Sequence, residues 1–176
     1  MAVSTLQEAE LDQALEALAK TPAKTLVVVD SNGALYSEQI HTLIAKYRAA
    51  GKNSGQEVGI HAHNNLQLAF ANTIEAIISG ANRIDATMAG LGRGAGNCPM
   101  ELLLGFLRNP KFHQRPVLKL LQDQMLRLRE KMEWGPSVPY HISGQLNQHP
   151  RAAIACRASA EKDNYVEFYD KCVSDV

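Results

Sequence analysis

Three short apolar runs, separated by segments of helical periodicity, restrict the fold of this chain more than any other feature of its sequence. The runs are Thr25–Asp30, Val58–Ile60 and Arg83–Met88. Apolar residues at helical spacing lie before, between and after them, over residues 6–18, 37–48, 65–79 and 99–107. Alternating elements joined by short connections predict βα units and a parallel sheet, hence an α/β fold. The β-branched first run predicts a strand buried on both faces.

The pattern changes after Pro110, where the strand signals stop. Leu118, Leu121, Met125, Leu128 and Met132 are spaced by three and four residues, which predicts one helix with an apolar seam that packs against a partner surface. Two further helical segments follow, Ser143–Ala158 and Lys162–Val173. We therefore divide the chain near Asn109–Pro110 into an α/β part, 1–109, and a C-terminal helical extension, 110–176.

Charge and cysteine content exclude several classes of partner and compartment. The charges of the 18 basic and 18 acidic residues cancel, so the chain lacks the excess of positive charge that is typical of proteins binding nucleic acid or an anionic membrane. No apolar run approaches the roughly 20 residues of a membrane span. The three cysteines form no Cys-x-x-Cys pair, and we expect a reduced, cytoplasmic setting.

His61 and His63 follow the second run directly. In an extended chain residues i and i+2 point to the same side, so both imidazoles can converge on one point. Neutral imidazole is the commonest side-chain metal ligand, which makes the pair a candidate metal site. A pair of polar strand-end histidines bonded to nearby loops is the alternative.

A glycine-rich loop follows the third run, and two interpretations of it stay open. Glycine occupies positions 90, 92, 94 and 96, so the backbone can approach a ligand closely, or can simply form a tight turn into the next helix. The spacing is no dinucleotide fingerprint. Asn97 at its end is either a site residue or a helix N-cap. Because ligands bind at the carboxyl ends of parallel strands, we expect this loop, Asp30–Gly33 and the histidine pair to share one edge.

Other polar residues favour structural roles. Cys98 has no sign of activation and is expected to be a buried thiol. Asp85 is expected to form a salt bridge with Arg83 or Arg93. His113, His141 and His149 have no ligand spacing, so surface or capping roles are expected.

Three motifs in order carry a resemblance to a known family. They are Asp-Ser-x-Gly after the first run, His-x-His-Asn-x-x-x-Leu-Ala after the second, and Ile-Asp-Ala-x-x-x-Gly-x-Gly-x-Gly-Ala-Gly-Asn at the third. This combination resembles the metal-dependent aldolase and lyase superfamily of TIM barrels, the hydroxymethylglutaryl-CoA lyase-like proteins. It is most similar to 4-hydroxy-2-oxovalerate aldolase-like proteins.

The resemblance implies a fold, a site and a chemistry. Residues 1–109 would be the pyruvate carboxyltransferase-like C-terminal part of a (β/α)8 barrel, strands six to eight with their helices. His61 and His63 would bind a divalent ion, Mn²⁺ or else Mg²⁺ or Zn²⁺, with Asn97 as a less certain ligand, and Ser31 would line the substrate pocket. The implied reaction is aldol cleavage or condensation of a 4-hydroxy-2-oxo acid, giving pyruvate and an aldehyde. No residue of the chain is assigned as catalytic.

The chain departs from the family in lacking its first strand. A (β/α)8 barrel takes about 250 residues. Nothing in residues 1–25 resembles the Arg-Asp-Gly segment that carries the family's metal-binding aspartate. We therefore expect a fragment that needs an N-terminal half-barrel or self-association, with a small α-keto acid as substrate and, by family resemblance, an acylating aldehyde dehydrogenase as partner. An acetyl-CoA-dependent Claisen synthase and a non-catalytic interaction subunit using the Leu118–Met132 helix are the alternatives.

Overall fold

A three-stranded parallel sheet forms the centre of the computed structural model, which describes residues 2–174. The strands, in spatial order, are β1 Thr25–Asp30, β2 Glu57–Ala62 and β3 Arg83–Ile84. The helices are α1 Glu8–Ala19, α2 Ser37–Gly51, α3 Ala69–Ile78, α4 Met100–Leu107, α5 Gln114–Leu120, α6 Leu126–Arg129, α7 Val138–Gln145, α8 Arg151–Arg157 and α9 Tyr165–Ser174. The predicted α/β fold with a parallel sheet is confirmed.

Helices cover one face of the sheet only. Val28 and Ile60 point to this face and are 0% exposed, packed in a cluster with apolar residues of α1, α2 and α3. Val27 and Val29 point to the opposite face and are only half-buried. The prediction that the first strand is buried on both faces is therefore wrong for the described residues, because the helices that follow β1 and β2 return on the same side.

The second half of the chain is less regular than its periodicity predicts. A π turn, Leu121–Met125, joins α5 to α6, in place of one uninterrupted helix. Along the expected seam Met125 is buried, but Leu118 and Met132 are 49% and 52% exposed. The Ser143–Ala158 segment is likewise two helices, α7 and α8.

Helices α7 to α9 pack against the glycine loop. Their apolar cluster includes Tyr140, Ile142 and Phe168, and it also contains Ala95 from the loop. The ring of Tyr140 lies beside Gly94. The extension therefore contacts the edge of the sheet where the strands end, while the domain boundary near residue 110 stays a prediction. No helix within residues 2–174 is long and apolar enough to cross a membrane.

Candidate metal centre

Backbone hydrogen bonds join the three segments that follow the strands. The His63 N–H donates to the Asp30 carbonyl at 3.2 Å, and the Asn64 N–H donates to the Gly96 carbonyl at 2.9 Å. His63 and Asn97 also form an isolated antiparallel bridge. The end of β1, the histidine pair and the end of the glycine loop thus lie at one edge of the sheet.

His61 lies on the uncovered face of β2 and contacts a carboxylate. Its Nδ1 is 3.0 Å from Oδ2 of Asp85. Because a carboxylate only accepts, Nδ1 carries the proton and Nε2 presents a lone pair. Metal-binding histidines typically have such a carboxylate partner, which fixes the tautomer and orientation of the ring.

The partner of Asp85 differs from the sequence-based expectation of an arginine. The β2–β3 register pairs Ile60 with Ile84, so the next residue of each strand, His61 and Asp85, come side by side. Arg83 instead pairs with Glu57 on β2, two residues before Gly59, which lies directly opposite Arg83. The expected salt bridge is wrong because strand register, and not sequence distance, decides the contact.

The His63 ring stands beside that of His61, with 5.2 Å between ring centroids. Its Nδ1 is buried and has no hydrogen-bond partner among the described residues. Burial lowers the pKa of His63 to about 4, and the positive charge of Arg93 acts in the same direction. His63 is therefore neutral at pH 7, the state in which imidazole binds a metal ion.

Asn97 contributes a second buried acceptor atom. Its Nδ2 donates to the Leu91 carbonyl at 3.0 Å, whereas Oδ1 is buried with no partner in the described part of the chain. The N-cap interpretation is wrong, because Pro99 precedes the first residue of α4 and no side chain caps that helix. An unpaired buried acceptor costs about 1–3 kcal/mol, and a cation bound there would offset that cost.

The available donor atoms suit a divalent ion, but they are too few to complete its coordination. His61 Nε2, His63 Nδ1 and Asn97 Oδ1 offer two imidazole nitrogens and one amide oxygen, a mixture that Mn²⁺ and Zn²⁺ accept. Within residues 2–174 no group of three or more His, Cys, Asp and Glu side chains is placed to hold a metal. The described side chains alone therefore do not complete a metal site.

The end of β1 contains one structural and one candidate site residue. Asp30 is fully buried, and its carboxylate accepts the N–H groups of Ala34 and Leu35 at 3.1 and 3.2 Å. It therefore holds the turn and is not available to a ligand. Ser31 is half-buried, and its carbonyl accepts a hydrogen bond from Nη2 of Arg93 at 2.9 Å.

Residues of the helical extension reach this edge, which the sequence did not indicate. Nδ2 of Asn32 donates to the Asn147 carbonyl at 3.0 Å. His149 contacts Arg93, and His141 contacts Gln67. His149 has the expected surface and capping role, because it is exposed and its Nδ1 lies 3.2 Å from the backbone nitrogen of Arg151, the first residue of α8. The sequence did not indicate that His149 and His141 would also have partners more than 50 residues away in the chain. Cys98 is 0% exposed, as predicted, and burial raises the pKa of its thiol.

Stability is expected to depend on pH through His63. Its pKa is 6.5 in the unfolded chain and about 4 in the folded one. The unfolded chain binds the proton more readily, so the free energy of unfolding should fall as pH drops through this window, by about 2 kcal/mol after allowance for partial exposure. Urea unfolding of wild type and His63→Asn at about pH 7 and about pH 4.5 measures the difference. Equal pH dependence in the two proteins would contradict the assignment.

Comparison with known proteins finds a matching family and similar aldolases. Residues 1–124 match the HMGL-like family. The 4-hydroxy-2-oxovalerate aldolase of Acidovorax sp. (strain JS42) is 51% identical over 85 residues, which are 48% of this chain and 25% of that protein. The enzyme of the same name from Thermus thermophilus is 44% identical over 85 residues, 48% of this chain and 24% of the relative.

Solved structures agree on the fold. The N-terminal domain of a Bacteroides vulgatus protein described as an aldolase is 35% identical, with a TM-score of 0.74 over 85% of this chain and 49% of that one. The carboxyl transferase domain of Rhizobium etli pyruvate carboxylase, solved with pyruvate and biocytin, is similar with a TM-score of 0.68 over 95% of this chain and 30% of that one. The two sequences are only 17% identical, so this similarity supports the fold alone. The chain matches about a quarter of the length of its curated relatives.

Proposed function

This chain belongs to the HMGL-like family, and we propose on that premise that it carries the metal-binding part of a divalent-metal-dependent carbon–carbon lyase. The reaction is aldol cleavage of a 4-hydroxy-2-oxo acid to pyruvate and an aldehyde, or its reverse. One observation carries the proposal: two buried acceptor atoms, His63 Nδ1 and Asn97 Oδ1, have no partner within residues 2–174 and lie at bridged backbone positions.

Each residue of the site has a distinct role in this proposal. His61, His63 and Asn97 hold the ion, with Mn²⁺ favoured over Mg²⁺ or Zn²⁺, and Asp85 orients the His61 ring. Ser31, at the end of the neighbouring strand, lines the substrate pocket. A bound divalent ion supplies Lewis-acid stabilisation of the negative charge that develops on the substrate oxygen as the bond breaks.

We propose that a partner supplies the carboxylate that the family resemblance assigns to the Arg-Asp-Gly segment. One face of the sheet is uncovered, and a cavity of about 650 Å³ lies along β3, lined by His61, Asp85, Leu103, Phe112 and Val117 among others. Unpaired strand edges bind further strands readily. We therefore place this chain as strands six to eight of a (β/α)8 barrel, with residues 110–176 as an extension. An N-terminal half-barrel, or self-association, completes the barrel.

Mixing this chain with the N-terminal half of a related 4-hydroxy-2-oxovalerate aldolase tests the function. Release of pyruvate from 4-hydroxy-2-oxovalerate is expected to rise at least about 100-fold over either part alone when Mn²⁺ is added, because metal stabilisation is worth several kcal/mol. The same mixture with EDTA is the control. No gain over the separate parts, or a gain that EDTA leaves unchanged, would refute the proposal.

Exposed apolar residues support a second candidate, a non-catalytic interaction subunit. Leu118, Leu126 and Met132 are 49%, 61% and 52% exposed along the α5–α6 segment. Such a subunit has no need of a metal ion. Pyruvate release by the mixture with the N-terminal half that depends on Mn²⁺ and on His61 therefore favours the lyase, and its absence favours the interaction role.

A further inference from the structure

We infer that Arg93, together with His149 and Arg151, forms a carboxylate-binding subsite beside the candidate metal centre. These three residues are called the Arg93 cluster below. The inference rests on the proposed function only in naming the ligand as a substrate carboxylate. The cluster joins the glycine loop to the segment between α7 and α8.

The guanidinium of Arg93 is held in place by two neighbours. Nη2 donates to the Ser31 carbonyl at 2.9 Å, and Nη1 lies 2.6 Å from Nε2 of His149. A guanidinium has five N–H donors, so these contacts fix its plane and leave three donors for a ligand. This pre-organised fork suits the two oxygens of a carboxylate.

The cluster contains more donors than acceptors. The backbone N–H of Arg151 points to Nδ1 of His149 at 3.2 Å, while Arg93 donates to Nε2 of the same ring. A neutral imidazole has a single lone-pair nitrogen, so it cannot accept from both. One of the two donors is therefore free of the ring and can donate to an added anion.

Positive charge in the cluster is not neutralised by the chain itself. No Asp or Glu among residues 2–174 lies within salt-bridge distance of Arg93 or Arg151. Burial lowers the pKa of Arg93, and the charge of Arg151 lowers it further. The arginines thus repel each other, and an anion between them would relieve the repulsion.

The cluster is close enough to the candidate metal centre to act on the same ligand. Arg93 lies four residues before Asn97, which is bridged to His63, and the His63 N–H donates to the carbonyl of Asp30, the residue before Ser31. Ser31, the candidate substrate-binding residue, contacts Arg93 through its carbonyl. The bound carboxylate has two possible sources within the substrate. It is either the carboxylate next to the 2-oxo group, which stays with pyruvate, or a second carboxylate on the part that leaves as the aldehyde.

Calorimetric titration of the full chain, stripped of metal with EDTA and then dialysed into metal-free buffer without EDTA, tests the inference. Pyruvate and 2-oxoglutarate are the probes, with one and two carboxylates. Arg93→Gln is expected to weaken binding about 10- to 100-fold, the range for a lost charge-assisted hydrogen bond. Arg93→Lys should recover part of the affinity. Arg48→Gln is the matched control, because Arg48 also donates to a backbone carbonyl, that of Ser79.

The outcomes separate the two carboxylate sources and the two proposals. Arg93-dependent binding of both probes identifies the carboxylate of the 2-oxo acid, and binding of 2-oxoglutarate alone identifies a second carboxylate. No binding of either probe, or equal binding by Arg93→Gln, overturns the inference. Arg93-dependent binding, together with no Mn²⁺-dependent pyruvate release from the mixture with the N-terminal half, would leave the subsite standing and refute the proposed function.

Discussion

Replacing His61 with Ala is expected to weaken Mn²⁺ binding by more than about 100-fold, because loss of a supporting group alone costs 10- to 100-fold and His61 is proposed as a direct ligand. The ring is well placed for that role, with Nδ1 bound to Asp85 and Nε2 left with a lone pair. Titration of the purified chain with Mn²⁺ measures the loss. Asp85→Asn should weaken binding by about 10- to 100-fold, since it removes only the group that orients the ring.

His41→Ala is the matched control for this prediction. His41 also contacts a carboxylate through Nδ1, that of Glu75 at 3.1 Å, but it lies on α2 and is 66% exposed in its side chain. Its removal should leave Mn²⁺ affinity unchanged. A His61→Ala protein that binds Mn²⁺ like wild type, or an equal loss in His41→Ala, would contradict the role of His61.

Gly96→Ala is expected to have the largest effect on stability, a loss of about 3 kcal/mol or more, from strain and overpacking together. Gly96 has a φ of 85°, and a Cβ added there would clash with the Gly90 carbonyl. That carbonyl accepts the Asn97 N–H at 3.0 Å, so the clash would also displace the Asn97 side chain. Urea unfolding gives the change in the free energy of unfolding, and Mn²⁺ affinity should fall in the protein that remains folded.

Gly55→Ala separates the clash from the backbone strain. Gly55 has a similar φ of 69°, but a Cβ added there meets no atom within 4 Å. Its replacement should cost about 1 kcal/mol, the strain of a non-glycine residue in a left-handed conformation. Equal costs for the two variants would show that the packing of the glycine loop does not matter.

The local sequence pattern predicted the positions of β1 and β2 well and the length of the edge strand β3 poorly. The apolar runs placed β1 and β2 correctly, because alternation and β-branching are properties of the strand itself. The third strand was expected over Arg83–Met88, yet it pairs only at Arg83–Ile84. Beyond Ile84 the chain no longer pairs with β2, because the Asp85 side chain contacts His61 and Thr87 pairs with Pro99 instead.

Some parts of the site, which depend on contacts between distant segments of the chain, could not be predicted from the sequence. The histidine pair and the end of the glycine loop were placed together from the rule for strand ends in parallel sheets. The contribution of the helical extension was not foreseen, because the segment 143–158 was expected to be one helix. A left-handed residue, Asn147 at φ 51°, ends α7 instead, and the break carries His149 to Arg93 across 56 residues of sequence.

Pulsed electron paramagnetic resonance of Mn²⁺ bound to the chain, with ¹⁵N-labelled histidine, tests the central claim most directly. The coupling of Mn²⁺ to ¹⁵N counts the imidazole nitrogens that bind the ion. The proposed site predicts coupling to two such nitrogens, with one lost in His61→Ala and one in His63→Ala. A spectrum without imidazole coupling, or one that neither substitution changes, would show that these histidines do not form a metal centre.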